Sequence, residues 1–400
     1  MRFVLMLFAG AVLVSSAMAN PNVVLYGVVD TGLSYVHVSR DGLNGQEALS
    51  SSQFGMDSGV QSGSRWGLKG TDALGDGWSA TFILEGGLNS ATGQLGQGDR
   101  AFGRQSILGL AQDSFGQVFF GRQPTISTNY LAAVDPFDES FGQANIGASF
   151  GSVNTVRYDS LLQYETPVWQ GLQAGIGYSF NAGMSGLYRT ESGAELAPRS
   201  DYFGTTANMR ALTVAARYTR GPLSLVGSYD RAFSAGFIPG SSGSAAAPNS
   251  TGVTPTAWIL GVTYNFDVIE LAAAFGRTYD GAFSGNGPGN GWDGSGLPTE
   301  TGGAGVLFDE GFDSQSAMVG FTIPMGGIAD ELMVSWQMQQ PLGRLADDAT
   351  FATQSIFGVA YTLGLSNRLN LYFWASYGNN FQMISTAKSS VIGTGVRYLF

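Results

Sequence analysis

The chain is 400 residues long, with no Cys, one His, 59 Gly and 26 Phe, and only 12% of it is charged, against the ~25% of an ordinary soluble domain. The missing thiols exclude a disulfide scaffold, a thiolate zinc site and a cysteine nucleophile; a single His excludes a two-His metal motif. A balance of 30 acidic to 19 basic residues argues against a nucleic-acid binder, and a 44% apolar content argues against disorder.

In chain order, the first element is an address. Arg2 precedes an apolar run from Phe3 to Val14, followed by Ser15, Ser16, Ala17, Met18 and Ala19. Positive start, short apolar middle and A-x-A ending describe a secretory signal peptide over 1–19, cut after Ala19 to leave 20–400. The run is shorter than the ~20 apolar residues of a spanning helix, and no later segment supplies one. An exported chain without a helical anchor is expected.

From Val23 onward the dominant period is two, the signature of strands. Trp66 and Leu68 oppose Arg65 and Lys69. Over 155–165, Val156, Tyr158, Leu162 and Tyr164 share one parity, with Arg157, Asp159, Gln163 and Glu165 on the other. Trp258, Leu260, Val262, Tyr264 and Phe266 form another one-sided set. About sixteen strands result, at 22–37, 62–71, 77–90, 100–111, 115–123, 153–166, 171–181, 209–219, 222–233, 256–266, 269–279, 314–323, 331–340, 352–363, 368–378 and 388–400. Short turns (72–77, 166–171, 220–222, 265–268, 324–330, 364–367) alternate with long Gly/Ser/Asn-rich loops at 181–208, 234–255 and 280–313.

A soluble β-sandwich also alternates. Here, however, apolar side chains hold one parity almost throughout, with aromatic residues at many strand ends, as in a girdle. In lipid every backbone polar group needs a partner, and a closed barrel supplies them without edges. The fold class expected is an all-β transmembrane antiparallel barrel with short periplasmic turns and long extracellular loops.

Four stretches resemble the general porins of Gram-negative outer membranes, in particular the beta-proteobacterial type. Val24-Leu25-Tyr26-Gly27-Val28-Val29-Asp30-Thr31-Gly32 is similar to that family's first strand, and Ser64-Arg65-Trp66-Gly67-Leu68-Lys69-Gly70 to its second. The most specific match is Phe102-Gly103-Arg104-Gln105 through Gly121-Arg122-Gln123. The ending Gly395-Val396-Arg397-Tyr398-Leu399-Phe400 resembles the terminal strand, which makes Tyr398 and Phe400 the outer-membrane assembly signal. The resemblance implies sixteen strands, a homotrimer in outer-membrane lipid and lipopolysaccharide, and passive diffusion of ions and small hydrophilic solutes. It also implies that the third loop, about 124–152, folds into the pore.

A water-filled lumen accepts charge that lipid rejects. Arg65, Arg104 and Arg157 match the family's basic ladder at the constriction; Lys69, Arg100 and Arg122 lie nearby, with Arg122 expected near a rim. Asp135, Asp138 and Glu139 would form the opposing acidic side, although loop carboxylates also cap backbone N–H groups. The wall would then be net basic and the pore weakly anion-selective or nearly neutral. The acidic 280–313 loop, with Asp280, Asp293, Glu300, Asp309, Glu310 and Asp313, could draw cations to the mouth or bind divalent ions, but its spacing is no EF-hand. His37 is read as a solvated rim residue, no cofactor is implied, and a barrel enzyme lacks a partner for its nucleophile. A substrate-specific channel on the same barrel is the alternative.

Overall fold

A computed structural model describes residues 22–42, 48–154, 157–183, 186–188, 209–234, 253–283 and 306–400. The expected signal peptide at 1–19, and Asp293 and Glu300, lie outside them. The strands are β1 (Asn22–Arg40), β2 (Leu49–Ser58), β3 (Arg65–Gly75), β4 (Trp78–Gly87), β5 (Gln105–Gln112), β6 (Gly116–Pro124) and β7 (Arg157–Glu165). They continue with β8 (Leu172–Ser179), β9 (Gly186–Tyr188), β10 (Arg210–Arg220), β11 (Leu223–Phe233), β12 (Thr256–Asn265), β13 (Glu270–Tyr279) and β14 (Gly281–Phe283). The last are β15 (Val306–Phe308), β16 (Asp313–Pro324), β17 (Glu331–Leu342), β18 (Gln354–Gly364), β19 (Leu369–Asn379) and β20 (Lys388–Leu399). The short β9, β14 and β15 form a separate three-stranded sheet, and all the others belong to one antiparallel sheet.

That sheet closes on itself through β1 and β20, paired from Val28–Leu399 to Ser39–Lys388. The Phe400 and Gly27 backbones exchange hydrogen bonds of 3.1 Å in both directions, and the Phe400 ring lies where a Cβ on Gly27 would project. The barrel has sixteen strand positions. The second is split: the upper half of β1 pairs with β2 and its lower half with β3. Sequence periodicity gives one strand there, at 62–71. The segment Leu49–Ser58 is Ser-rich and shows only Phe54 and Met56 as apolar outward residues.

Burial is inverted relative to a soluble protein, in which large apolar side chains go inside. Leu108, Leu260, Phe357 and Ile392 are exposed, whereas Asp30, Glu85, Gln163, Asp230 and Gln337 are buried. The exterior suits lipid and the interior suits water and hydrogen bonds. No helix among the described residues is long and apolar enough to cross a membrane; the strands do the crossing.

Residues 125–154 fold inside the barrel as a short helix, Ile126–Leu131, and four 3-10 turns. Thr125 caps the helix by accepting the Thr128 N–H. Neutral donors on the far wall hold the loop. The Gln337 amide donates to the Gln143, Ala144 and Asn145 carbonyls at 3.2, 3.0 and 2.7 Å. Ser335, Ser316 and Gln354 donate to the carbonyls of Ala144, Ser149 and Ala148. Glycines make room: a Cβ on Gly358 would stand 2.6 Å from Ala144 Cβ, one on Gly320 2.7 Å from Pro136, and one on Gly261 2.9 Å from Val134.

Candidate functional site

Opposite those anchors, the loop tip faces β3, β4 and β7 across a cavity of about 430 Å³. Arg65, Arg104 and Arg157 line it from the wall, and Asp138 and Glu139 from the loop. The wall charges rest on Glu85, which is buried on β4: Arg104 Nε stands 2.7 Å and Arg65 Nε 3.7 Å from its two oxygens. Tyr26 donates to the same carboxylate at 2.9 Å. Arg104 precedes β5 in a turn, pinned there by its own N–H to the Glu85 carbonyl at 3.0 Å.

Arg157 reaches the cavity across a break in its strand. The β6–β7 register slips between Gly121–Leu161 and Gln123–Tyr158, and Ser160 has a φ of 47°. Tyr158 is consequently buried at 1%, while Leu162 and Tyr164 on its nominal parity are exposed. A single parity therefore does not run through 157–165; Val156 lies outside the described residues.

The three remaining basic residues lie outside the cavity lining. Arg122, read as near a rim, donates Nε to the Gly103 carbonyl at 2.6 Å and ion-pairs with Asp159 at 2.7 Å. Arg100 also binds Asp159, at 2.7 and 2.8 Å. Lys69 is exposed lower on β3, its Nζ 5.2 Å from the Tyr26 ring centroid.

Among the loop acids, Asp135 is an internal anchor. It is buried and accepts the N–H groups of Phe137, Glu139 and Ile146 at 3.2, 2.9 and 3.2 Å, shaping the tip that presents its two neighbours. Burial pushes its carboxyl up to about 7, against the pull of those three donors. Desolvation within the lumen also raises Asp138, opposed by Arg397 and Arg65. Glu139 lies well above its ordinary range, raised by burial and then by the Asp135 charge, with Arg157 opposing.

Periodicity alone missed three contributors. Glu85 carries the wall arginines, and Arg397 on β20 acts on Asp138. Asp30 is buried and accepts Ser62 N–H at 2.6 Å and Tyr372 O–H at 2.7 Å, fixing the inward segment 59–64 between β2 and β3. That segment grips the loop: Val60 O accepts Phe141 N–H at 2.8 Å and Gln61 O accepts Ser140 Oγ at 2.5 Å. All three residues stand in the sequence at inward parity, but their partners come from remote strands.

Three of the four described acids of the 280–313 loop, all but Glu310, are already engaged. Asp280 accepts Gly311 N–H, Asp313 accepts Asp280 N–H, and Asp309 pairs with Arg344. Among the described residues no acidic or His cluster has metal-ligand geometry. His37 is half-buried on β1 and meets Ser52 Oγ at 2.8 Å.

Residues 4–381 match the family model described as Gram-negative porin. The chain belongs to that family. An outer membrane porin protein of Bordetella pertussis is 42% identical over 98% of this chain and 97% of its own length. Outer membrane porin protein 32 of Delftia acidovorans is 35% identical over 44% of this chain and 49% of its own. Among solved structures, an anion-selective porin from Comamonas acidovorans shares the fold with a TM-score of 0.65 at 22% identity, covering 95% of this chain and 100% of that one. An outer membrane protein of Vibrio cholerae in a trimer form has a TM-score of 0.60 at 15% identity over 95% and 99%. This porin is an outer-membrane β-barrel that conducts small hydrophilic solutes through its lumen.

Proposed function

We propose that the cavity between Arg65, Arg104 and Arg157 and the loop carboxylates Asp138 and Glu139 is the narrowest passage of the porin, and that it favours small anions. The carrying observation is the sharing of one lumen cavity by three guanidinium groups and the loop tip. With Arg397 on β20 also acting on Asp138, four guanidinium groups face the three carboxylates of Glu85, Asp138 and Glu139, so the passage is net basic. Guanidinium groups stay charged across the physiological range and suit carboxylate or phosphate solutes. Lys69 adds positive potential lower in the lumen, while Arg100 and Arg122 share the single carboxylate of Asp159, which offsets one of their two charges.

The working unit in this reading is a homotrimer without cofactor or covalent chemistry, exported through cleavage of 1–19. Tyr398 and Phe400 mark the chain for barrel assembly, a role that fits the closing pairing of Phe400 with Gly27. The anion-selective Comamonas porin supports the sign of selectivity by analogy.

The test is the reversal potential of the Arg65→Ala/Arg104→Ala variant in a planar bilayer under a salt gradient. Each guanidinium a few ångströms from a passing ion contributes roughly 0.5–1 kcal/mol in water-like surroundings, so anion preference should fall about tenfold. An unchanged reversal potential would overturn the assignment.

A further inference from the structure

Below the internal loop, the lumen wall is made by the periplasmic ends of the strands. On β13 and β17 the inward parity is fixed by burial: Ala272, Ala274, Met333, Ser335 and Gln337 are all buried. Glu270 and Glu331 continue those rows at the first residue of each strand, so both carboxylates enter the lumen. The loop gives their depth. Pro136 lies on Gly320, which pairs with Ala272 on one side and Ser335 on the other. Glu270 is thus two residues and Glu331 four residues below that contact, roughly 7 and 13 Å along the strands. The charges of Glu270 and Asp138 both act on Glu331, which puts it in the same space as the loop tip.

The balance of charge at this depth is opposite to that of the cavity. β11–β18 carry two basic residues, Arg231 and Arg277, both near extracellular strand ends and on the outer parity. Arg217 and Glu165 offset each other through Tyr130. The Arg217 guanidinium carbon lies 4.6 Å from the Tyr130 ring centroid, and Tyr130 donates to Glu165 at 3.3 Å. Among the described residues, Lys69 on β3 is the remaining lumen cation set against the two glutamates. The turns beneath add Asp76, Asp113, Asp267 and Asp330 against Arg220 and Arg368. The outlet is net acidic.

A positive zone in series with a negative one treats the two directions of current differently. Each zone concentrates its own counter-ion, anions at the cavity and cations at the outlet. A voltage that drives anions down from the cavity also draws cations up from the periplasm, so salt accumulates between the zones. The opposite voltage empties that space of both. Screening decides whether the zones act separately. At 0.1 M salt the screening length is about 10 Å, comparable to the depth of the two glutamates below the loop.

We propose that Glu270 and Glu331 form a cation-attracting outlet in series with the basic cavity, and that the two zones make this porin rectify, passing more current when the periplasmic side is positive. The arrangement presupposes the net basic cavity proposed as the narrowest passage. Neither glutamate lines that cavity, so the two zones can be altered one at a time.

Single-channel currents of the full-length protein in a planar bilayer test this, with KCl equal on both sides and voltages of both signs. Orientation is read from the side on which a membrane-impermeant maleimide labels Val168→Cys, an exposed turn residue in a chain that otherwise has no Cys. At about 0.1 M the current should be at least about 1.5-fold larger with the periplasmic side positive, and the ratio should approach one near 1 M, where the screening length is about 3 Å. Glu270→Gln/Glu331→Gln should remove the asymmetry while the reversal potential under a salt gradient keeps its anion-preferring sign. Glu270→Lys/Glu331→Lys should remove it too, and should strengthen anion preference. An asymmetry that both variants keep, or one larger with the extracellular side positive, overturns the proposal. A symmetric wild-type current with anion preference intact overturns this inference alone. A wild-type reversal potential without anion preference removes the basic zone and overturns both readings.

Discussion

The two sides of the lumen are built from different chemistry. On β3–β7 the wall is charged: Arg104 and Arg65 rest on Glu85, and Arg100 and Arg122 on Asp159. Where β16–β20 hold the loop they do so with neutral groups: Ser and Gln side chains by hydrogen bonds and glycines by close packing, with no ion pair to the loop among the described residues. Neutral bonds are insensitive to salt, whereas charges set a field that salt and pH can tune. The porin thereby separates the holding of its loop from the selection of its solutes.

The neutral side should fail most abruptly. Gly358→Leu drives a side chain toward Ala144, where even a Cβ stands at 2.6 Å. Overpacking of this kind costs about 1–3 kcal/mol, and the loop is the part free to move. Gln337→Leu acts from the adjoining strand by removing the donor that three loop carbonyls share, after which Ala144 O keeps Ser335 and Asn145 O keeps the Ala148 N–H, a loss of about 1–3 kcal/mol. The paired variant should insert normally and show a larger conductance step with weaker anion preference. A wild-type conductance would mean that the loop does not limit the passage.

The charged side should respond by degrees, and pH is its most direct lever. Asp138 and Glu139 have raised pKa values, so they lose their charge at a higher pH than ordinary carboxylates. As pH is lowered from about 7 to 5, any charge that these two carboxylates lose leaves the arginines less opposed, and anion preference should rise. Asp138→Asn/Glu139→Gln should hold the acidic value at every pH in that window. Reversal potentials at both pH values check this; a variant that keeps the wild-type slope refutes it. Asp135 adds a stability effect of definite sign. Its folded pKa is raised to about 7, so the folded chain binds more protons than the unfolded one between about 4 and 7. Its contribution is present below that window and is lost as pH rises through 7; Asp135→Asn should flatten this part of the melting profile.

The same contrast explains what could be read from the chain beforehand. Alternation of apolar and polar residues is local, and it located nearly every barrel strand and the lumen parity of Arg65. The strand 49–58 escaped because LSSSQFGMDS offers too few apolar positions to show a period, and its place is set by pairing with β1. Glu85, Asp30 and Arg397 stood in recognised strands, but their roles depend on side chains brought from elsewhere by closure of the barrel. The glycine seats at 261, 320 and 358 read as ordinary strand glycines until the loop is laid against them. Tyr158 shows the limit of parity itself, since the turn of φ at Ser160 exchanges the faces midway along β7.

The smallest expected effect separates the cavity charges from those merely in the lumen. Lys69 shares β3 and lumen parity with Arg65, but it lies two periods of the alternation further down, roughly 13 Å along the strand. It is exposed and has a Tyr26 ring, not a carboxylate, beside it. At 0.15 M salt the screening length is about 8 Å, so its field is mostly lost before it reaches the cavity. Lys69→Ala should therefore barely move the reversal potential at that ionic strength. Near 0.01 M, where screening extends to about 30 Å, the shift should grow toward that of Arg65→Ala. Arg65→Ala should keep much of its effect in high salt, because its charge lines the passage itself. Equal salt dependence for the two variants would place the selecting charge along the whole lumen rather than at the loop.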